Sequence, residues 1–262
     1  MSEFSLTVAI RKRNAEGESA FVPYMMAGDG GLNALHERIS FLQEAGADAI
    51  EIGIPFSDPV ADGEVIQEAG SRALSKGVTL RKVMCELQTQ TQTHAIPLVV
   101  MTYLNPILAY GIQEFVEACV LAGVRGLIVP DLPYEERVLV SSELVGKDIA
   151  LVPLISLTSS KERIEKIAQA AEGFIYAVTV NGITGVRSGF GSDLAEHMAH
   201  LKNVSDVPVL AGFGISTPEQ VRDFGGIADG VIVGSAIVTA FHEENRSLIQ
   251  SLIRAGRVPI NQ

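Results

Sequence analysis

Two carboxylates stand out because of where they fall in the chain. In Ala47-Asp48-Ala49-Ile50-Glu51-Ile52-Gly53-Ile54-Pro55-Phe56-Ser57-Asp58-Pro59-Val60-Ala61-Asp62-Gly63, Glu51 interrupts an apolar run of strand character. If Ile50 and Ile52 face a layer of helices, alternation aims Glu51 at the opposite, interior side. A buried carboxylate is costly unless it is paired or functional. Burial also raises its pKa, which suits a general acid–base near neutral pH. The plainer reading of Glu51 alone is a structural glutamate bonded to a neighbour. Asp62 lies in the loop after the same run, so an interior acid and a loop acid meet at one end and can take two roles. Taken alone, a loop aspartate forms turns, a description that fits Asp58 better because it precedes Pro59.

A second group has the character of an anion site. Ala211-Gly212-Phe213-Gly214-Ile215-Ser216 and Val233-Gly234-Ser235-Ala236 each follow an apolar run, and the second opens a short apolar helix. Glycine lets a backbone approach a ligand closely, and a helix N-terminus offers free N–H groups. The plainer reading is glycines that serve tight turns only. The net charge of −11 favours anion binding by backbone rather than by clustered Lys and Arg, and argues against a nucleic-acid groove or an anionic membrane surface. A third feature is the polar stretch Thr179–Ser192, with glycines at 182, 185, 189 and 191, read either as a lid or as a simple connector. His197 and His200 share a helical face without a third ligand, so no metal site is expected. No Gly-x-Gly-x-x-Gly follows the first apolar run, and no lysine sits where a Schiff base would need one. Acid–base chemistry without a cofactor in this chain is what remains.

These residues need a scaffold. Short apolar runs recur at 20–26, 47–52, 96–101, 126–129, 149–153, 173–178, 207–210 and 230–233, and amphipathic stretches of helical length lie between them. Continuous apolar runs fit parallel strands buried on both faces. The helical stretches are 32–45, 79–92, 112–122, 134–145, 160–171, 192–201, 218–224 and 245–255, with Gly46 a cap after the first and Ser216-Thr217-Pro218 a helix start. Strand and helix alternating eight times predict a single-domain (β/α)8 TIM barrel over 1–262, with extra helices at the N-terminus and after strands 2 and 8, a doubly wound open sheet being the alternative. The 262 residues and the 47% hydrophobic fraction suit one such barrel. Barrel chemistry sits at the C-terminal ends of the strands, where both carboxylates and both glycine turns fall. Cys85 and Cys119 read as free thiols, and Met1–Asn14 has neither a secretory core nor a membrane-spanning run, which predicts a cytoplasmic protein.

The motif Glu51–Gly63 resembles the signature of the tryptophan synthase alpha chain family. So do Met101-Thr102-Tyr103-Leu104-Asn105-Pro106, Pro130-Asp131-Leu132-Pro133, Asn181-Gly182-Ile183-Thr184-Gly185 and Gly212-Phe213-Gly214-Ile215-Ser216, and the likeness covers essentially the whole chain in order. The resemblance implies retro-aldol cleavage of indole-3-glycerol phosphate to indole and glyceraldehyde 3-phosphate. It implies Glu51 as the acid–base and Asp62 as the partner of the indole N–H. By the same carry-over Phe21, Tyr103, Tyr176, Phe213 and Ile232 surround the organic part of the substrate. Gly185, Gly212, Gly214, Gly234 and Ser235 belong to the substrate site at its phosphate end, and Thr184 braces the loop of Asp62. It further implies a beta chain partner that carries pyridoxal phosphate, in a heterotetramer of two alpha and two beta chains, docked on Pro55–Pro59, Asn105, Pro106 and Asp131–Pro133. A free-standing lyase, or a catalytically poor subunit that activates a beta chain, are the alternatives. Two positions depart from the family pattern, Gly30 and Glu64, where proline is usual. The first departure is expected to loosen the loop after the first strand, and the second to place a charge near Asp62.

Overall fold

The computed structural model describes residues 5–156, 158–178, 192–212 and 214–257. Its strands are β1 (Ala20–Met26), β2 (Ile50–Gly53), β3 (Leu98–Met101), β4 (Val124–Ile128), β5 (Ala150–Leu151), β6 (Leu154–Ser156), β7 (Ile175–Val178), β8 (Val209–Gly212) and β9 (Gly230–Val233). Neighbours pair in parallel in the order β5-β4-β3-β2-β1-β9-β8-β7-β6. The two ends of that order are consecutive in sequence, separated only by Val152 and Pro153. Val152 donates its N–H to Leu127 of β4 at 2.9 Å, and Pro153 accepts from Tyr176 of β7 at 3.0 Å. The run 150–156 therefore pairs with β4 on one side and β7 on the other, and the ladder closes into the expected barrel. The expected fifth strand extends further than its apolar run and is interrupted at Pro153, which has no N–H to donate.

Alternation sorts the side chains into two layers. Ala20, Val22, Val99, Ile128, Leu210 and Ile232 face the barrel interior, while Ile50, Ile52, Val100, Leu127, Val209 and Val231 pack outward against helices. The N-terminal end of the barrel is sealed by the helix Ser5–Ala15, whose Leu6 and Ile10 join the interior cluster and whose Thr7 hydroxyl donates to Gly173 O at 2.8 Å. Buried Asp48 ties this end together. Its carboxylate accepts from Arg13 at 2.9 Å, from Arg257 at 2.8 Å and from the N–H of Phe21 at 2.8 Å.

The helices follow local signals in most places. Thr79, Ser160 and Asn245 each accept an N–H of the first turn, and Thr217 makes a capping box with Gln220 ahead of Pro218. Gly46 ends the helix Leu35–Ala45 at φ +101. The stretch 134–145 divides into a 3-10 turn, Tyr134–Glu136, and a helix, Val138–Leu144. The extra helices Ser5–Ala15, Glu64–Ser75 and Ser235–His242 stand where expected. A further helix, Leu104–Tyr110, follows β3 and was not expected. Its Pro106 falls in the first turn, where an N–H has no partner within the helix, and Asp131 accepts the N–H of Leu104 at 2.9 Å.

Close strand packing at the sealed end gives a direct test. A Cβ on Gly230 would stand 2.7 Å from the backbone oxygen of Ala20, which cannot swing away as a side chain would. Gly230→Ala is expected to cost about 1–3 kcal/mol. This reads as a lower urea midpoint at unchanged slope, and an unmoved midpoint would contradict the tight β1–β9 contact.

Candidate active site

Glu51 lies on the inward-facing side of β2. It pairs in register with Tyr24 of β1 and Val99 of β3, between outward-facing Ile50 and Ile52. Only 1% of it is exposed, and its Oε2 has no hydrogen-bond partner among the described residues. Leaving a buried carboxylate oxygen unpaired destabilises the ionised form. Burial, and then the nearby charge of Asp62, push the Glu51 pKa up to about 8.

Asp62 comes to the same place along the loop after β2. Its N–H bonds to Pro59 O at 3.1 Å, and Gln67 donates to its carbonyl at 2.8 Å. The Tyr103 hydroxyl clasps the loop from the end of β3. It accepts the N–H of Ala61 at 3.0 Å and hydrogen-bonds the Asp62 side chain. Burial pushes the Asp62 pKa up to about 6, opposed by the Tyr103 bond. The Phe56 ring packs on Tyr103 with centroids 5.3 Å apart. Glu64 is exposed at the first position of the helix Glu64–Ser75, after Gly63 as N-cap. An acidic residue suits that position, as proline does.

Three phenols surround the carboxylates. Tyr176 of β7 and Tyr24 of β1 are buried and feel the charges of both Glu51 and Asp62, and Tyr103 feels that of Asp62. Burial and these charges raise the phenol pKa values, so the three hydroxyls stay protonated at neutral pH. Any side chain at Gly212 would overlap the Tyr176 ring, and any at Gly53 would overlap that of Tyr24. Ile232, paired with Val22, also points inward, one layer below Tyr24 and Glu51. Phe21 does not join this group. It lies in the outer layer near the N-terminal end of β1, with its ring against Gly256, so its expected place beside the substrate is corrected. Tyr24, which sequence reasoning missed, shares the inward face of Ala20 and Val22 and lies nearer the C-terminal end of the strand. That position was a usable signal.

The glycine turns lie at the same end. Gly234 caps the helix Ser235–His242, and its carbonyl accepts from Ile237 and Val238. The N–H groups of Ser235 and Ala236 precede any intrahelical acceptor, the arrangement by which helix N-termini can hold an anion. A Cβ at Gly234 would meet nothing closer than 3.8 Å, from Tyr24 Cβ, so there is open space beside this turn. Gly214 has φ +76, a conformation that favours glycine. Phe213, Thr184, Gly185 and the rest of the expected lid lie outside the described residues. Among the described residues no group of three or more His, Cys, Asp and Glu is arranged to hold a metal.

The fold and site define a (β/α)8-barrel protein with one buried and one half-buried carboxylate, Glu51 and Asp62, at the barrel end that also carries the glycine turns. The family described as "Tryptophan synthase alpha chain" matches residues 10–258. A relative from Listeria innocua, the tryptophan synthase alpha chain, is 53% identical over 97% of this chain and 99% of its own. That from Bacillus mycoides is 53% identical over 91% and 93%. A solved tryptophan synthase from M. tuberculosis superposes with a TM-score of 0.88 at 32% identity, covering 98% of this chain and all of that one. The alpha chain from Legionella pneumophila gives 0.85 at 33% identity, with 97% of each chain covered. The chain belongs to the tryptophan synthase alpha chain family, the alpha subunits of tryptophan biosynthesis, whose known activity is the retro-aldol cleavage of indole-3-glycerol phosphate.

Burial of Glu51 carries a stability consequence. The unfolded carboxylate releases its proton near 4.5 and the folded one near 8. Between these values the folded chain holds the extra proton, so the Glu51 contribution to stability falls as pH rises through that window. Glu51→Gln removes this dependence. Its Tm relative to the parent chain is expected to climb between pH 5 and pH 8, and a constant difference would mean that Glu51 ionises as freely as in water.

Proposed function

We propose that this chain is a carbon–carbon lyase that cleaves indole-3-glycerol phosphate, with Glu51 as its acid–base. The observation that carries this reading is the inward-facing Glu51, one oxygen unpaired, near Asp62, with open space at the Gly234 turn on the same end of the barrel. Near neutral pH Glu51 holds a proton, while Asp62 with its lower pKa is ionised. Protonated Glu51 delivers its proton to C3 of the indole ring, and positive charge develops at the ring nitrogen. Asp62 accepts the indole N–H and stabilises that charge. The Glu51 carboxylate then takes the proton of the glycerol hydroxyl next to the ring. The carbon–carbon bond breaks, its electron pair returns to the ring, and indole and glyceraldehyde 3-phosphate form with Glu51 protonated again. Tyr24, Tyr103, Tyr176 and Ile232 would wall the organic part, and the backbone around Gly212, Gly214, Gly234 and Ser235 would take the phosphate. By the family resemblance Gly185 and Phe213 complete the site, and Thr184 braces the Asp62 loop.

Family alpha chains pair with a beta chain, and we assign the pyridoxal phosphate to that partner in a heterotetramer of two alpha and two beta chains. The surface we assign to docking comprises Pro55–Pro59, Asn105, Pro106 and Asp131–Pro133. Its support is continuity: Pro55, Phe56, Ser57 and Pro106 line one open groove of about 320 Å³, and Asp131 bonds the helix that holds Asn105 and Pro106. We read the protein as cytoplasmic, in keeping with its free Cys85 and Cys119. No described helix is long and apolar enough to cross a membrane.

The deciding assay is indole release from indole-3-glycerol phosphate, with and without a beta subunit. Slow release that rises strongly with beta supports the complex-dependent lyase. Fast release by the chain alone marks a free-standing one, and none in either condition leaves a subunit that only activates its partner. Glu51→Gln is expected to abolish cleavage and Asp62→Asn to cost at least ~100-fold in kcat. The kcat/KM profile of the parent chain should fall below about 6 and above about 8, as Asp62 protonates and Glu51 ionises. Near-normal turnover in Glu51→Gln, or a flat profile, would remove the pair from the mechanism. Because Gly234 has room for a methyl group in the fold, Gly234→Ala should keep its Tm and kcat but raise KM roughly tenfold. An unchanged KM would place the phosphate elsewhere.

A further inference from the structure

The loop after β1 holds a second buried carboxylate at the active-site end. Asp29 is 4% exposed. Arg72 grips it with both arms of its guanidinium, Nε on Oδ1 and Nη2 on Oδ2, each at 2.8 Å. A second guanidinium, that of Arg38, also bears on Asp29. It stacks 4.7 Å from the centroid of the Phe241 ring and is half-buried among these groups. Gly30 makes the room: a Cβ there would stand 2.5 Å from Arg38 Nη2, and its φ of +92 is one that proline cannot adopt. The proline usual in the family at this position is thus replaced by a glycine that admits an arginine, and the loop is gripped rather than loosened.

Arg72 belongs to the helix Glu64–Ser75, which starts directly after Asp62 and Gly63. Gln67 of that helix holds the carbonyl of Asp62, Ile66 Cδ1 lies next to Gly234, and Gly70 leaves room for Met26. We propose that Asp29 is a positioning residue for the cleavage reaction: through its fork with Arg72, backed by Arg38, it sets the helix Glu64–Ser75 and thereby the place of Asp62 relative to Glu51. A bidentate fork fixes orientation as well as distance, and a helix held two turns from its start transmits that orientation to the loop it begins. The fork bears directly on the helix that follows Asp62, whereas it meets the turn at Gly234 only indirectly, through Arg38 on the Phe241 ring at the far end of the helix Ser235–His242 and through Ile66 beside Gly234. Loss of the clamp therefore falls on kcat rather than on KM. This inference rests on the proposed cleavage reaction.

The experiment measures indole release by the full chain with a beta subunit, for the parent, Asp29→Asn, Arg72→Lys and Arg13→Gln. Arg13 pairs with buried Asp48 at the opposite end of the barrel, so Arg13→Gln controls for stability lost by breaking a buried pair. Asp29→Asn is expected to lower kcat ~10–100-fold with KM within about threefold. It should also shift the acid limb of the pH profile down from about 6 toward the ordinary carboxylate range, as Asp62 leaves its buried place. Arg72→Lys keeps the charge but not the fork and should fall between. Arg13→Gln should lower Tm and leave kcat and the acid limb in place. Folded Asp29→Asn or Arg72→Lys with parental kcat and an unmoved acid limb would overturn the clamp, as would an equal loss in Arg13→Gln. A parent chain that releases no indole with beta present would instead overturn the proposed reaction, and the clamp with it.

Discussion

Much of this molecule can be understood from the exclusion of water around one carboxylate. Glu51 sits where a parallel barrel normally places an aliphatic side chain, and its Oε2 finds no partner among the described residues. A charge in that setting is expensive, so the group keeps its proton to about pH 8 and becomes able to give and take it. The surroundings serve this state. Tyr24, Tyr103 and Tyr176 provide polar but uncharged walls, and Gly53 and Gly212 have no side chains because the Tyr24 and Tyr176 rings occupy that space. Asp62 shares the same low-polarity region less completely, and the Tyr103 hydroxyl keeps its pKa lower. Two carboxylates with separated pKa values follow from unequal burial.

The barrel divides its labour between its ends. At the N-terminal end Leu6 and Ile10 plug the interior, while Asp48 binds Arg13, Arg257 and the backbone of Phe21. These contacts join segments far apart in sequence and hold the closed ladder. At the other end the polar links run between the connections that follow neighbouring strands: Ala61 to Tyr103, Leu104 to Asp131, Asp29 to Arg72. Loops are the parts that bring chemistry to a barrel, and these three are tied to their neighbours by directed bonds.

The acidic balance of the chain, −11, bears on the proposed anion site. A phosphate site built on lysines would stand against that charge. The proposed one, built on the N–H groups ahead of the helix Ser235–His242, uses a local dipole instead. The two departures from the family pattern likewise have local explanations. Glu64 takes the first position of a helix, where a negative charge is favourable. Gly30 takes a positive φ that gives Arg38 its place beside Asp29.

What the sequence by itself determined were the features that depend on neighbours along the chain. Apolar runs located every stave of the barrel, Thr79, Ser160, Thr217 and Asn245 marked helix starts, and the pattern Ile50-Glu51-Ile52 put the acid on the inward face. Tertiary structure decided whatever depended on register, stagger and distance. Pro153 divides the fifth stave because its two halves pair with different neighbours, which no local pattern records. Phe21 and Tyr24 are both aromatic residues on β1, and only inward facing combined with height along the strand distinguishes the one that reaches Glu51. The helix Leu104–Tyr110 begins without a capping side chain of its own and takes its cap from Asp131 on the next strand's loop. Tyr103 meets Asp62, and Arg72 meets Asp29, across gaps in sequence that the barrel closes. Periodicity and capping are read within a few residues, whereas these contacts exist only once the strands are placed side by side.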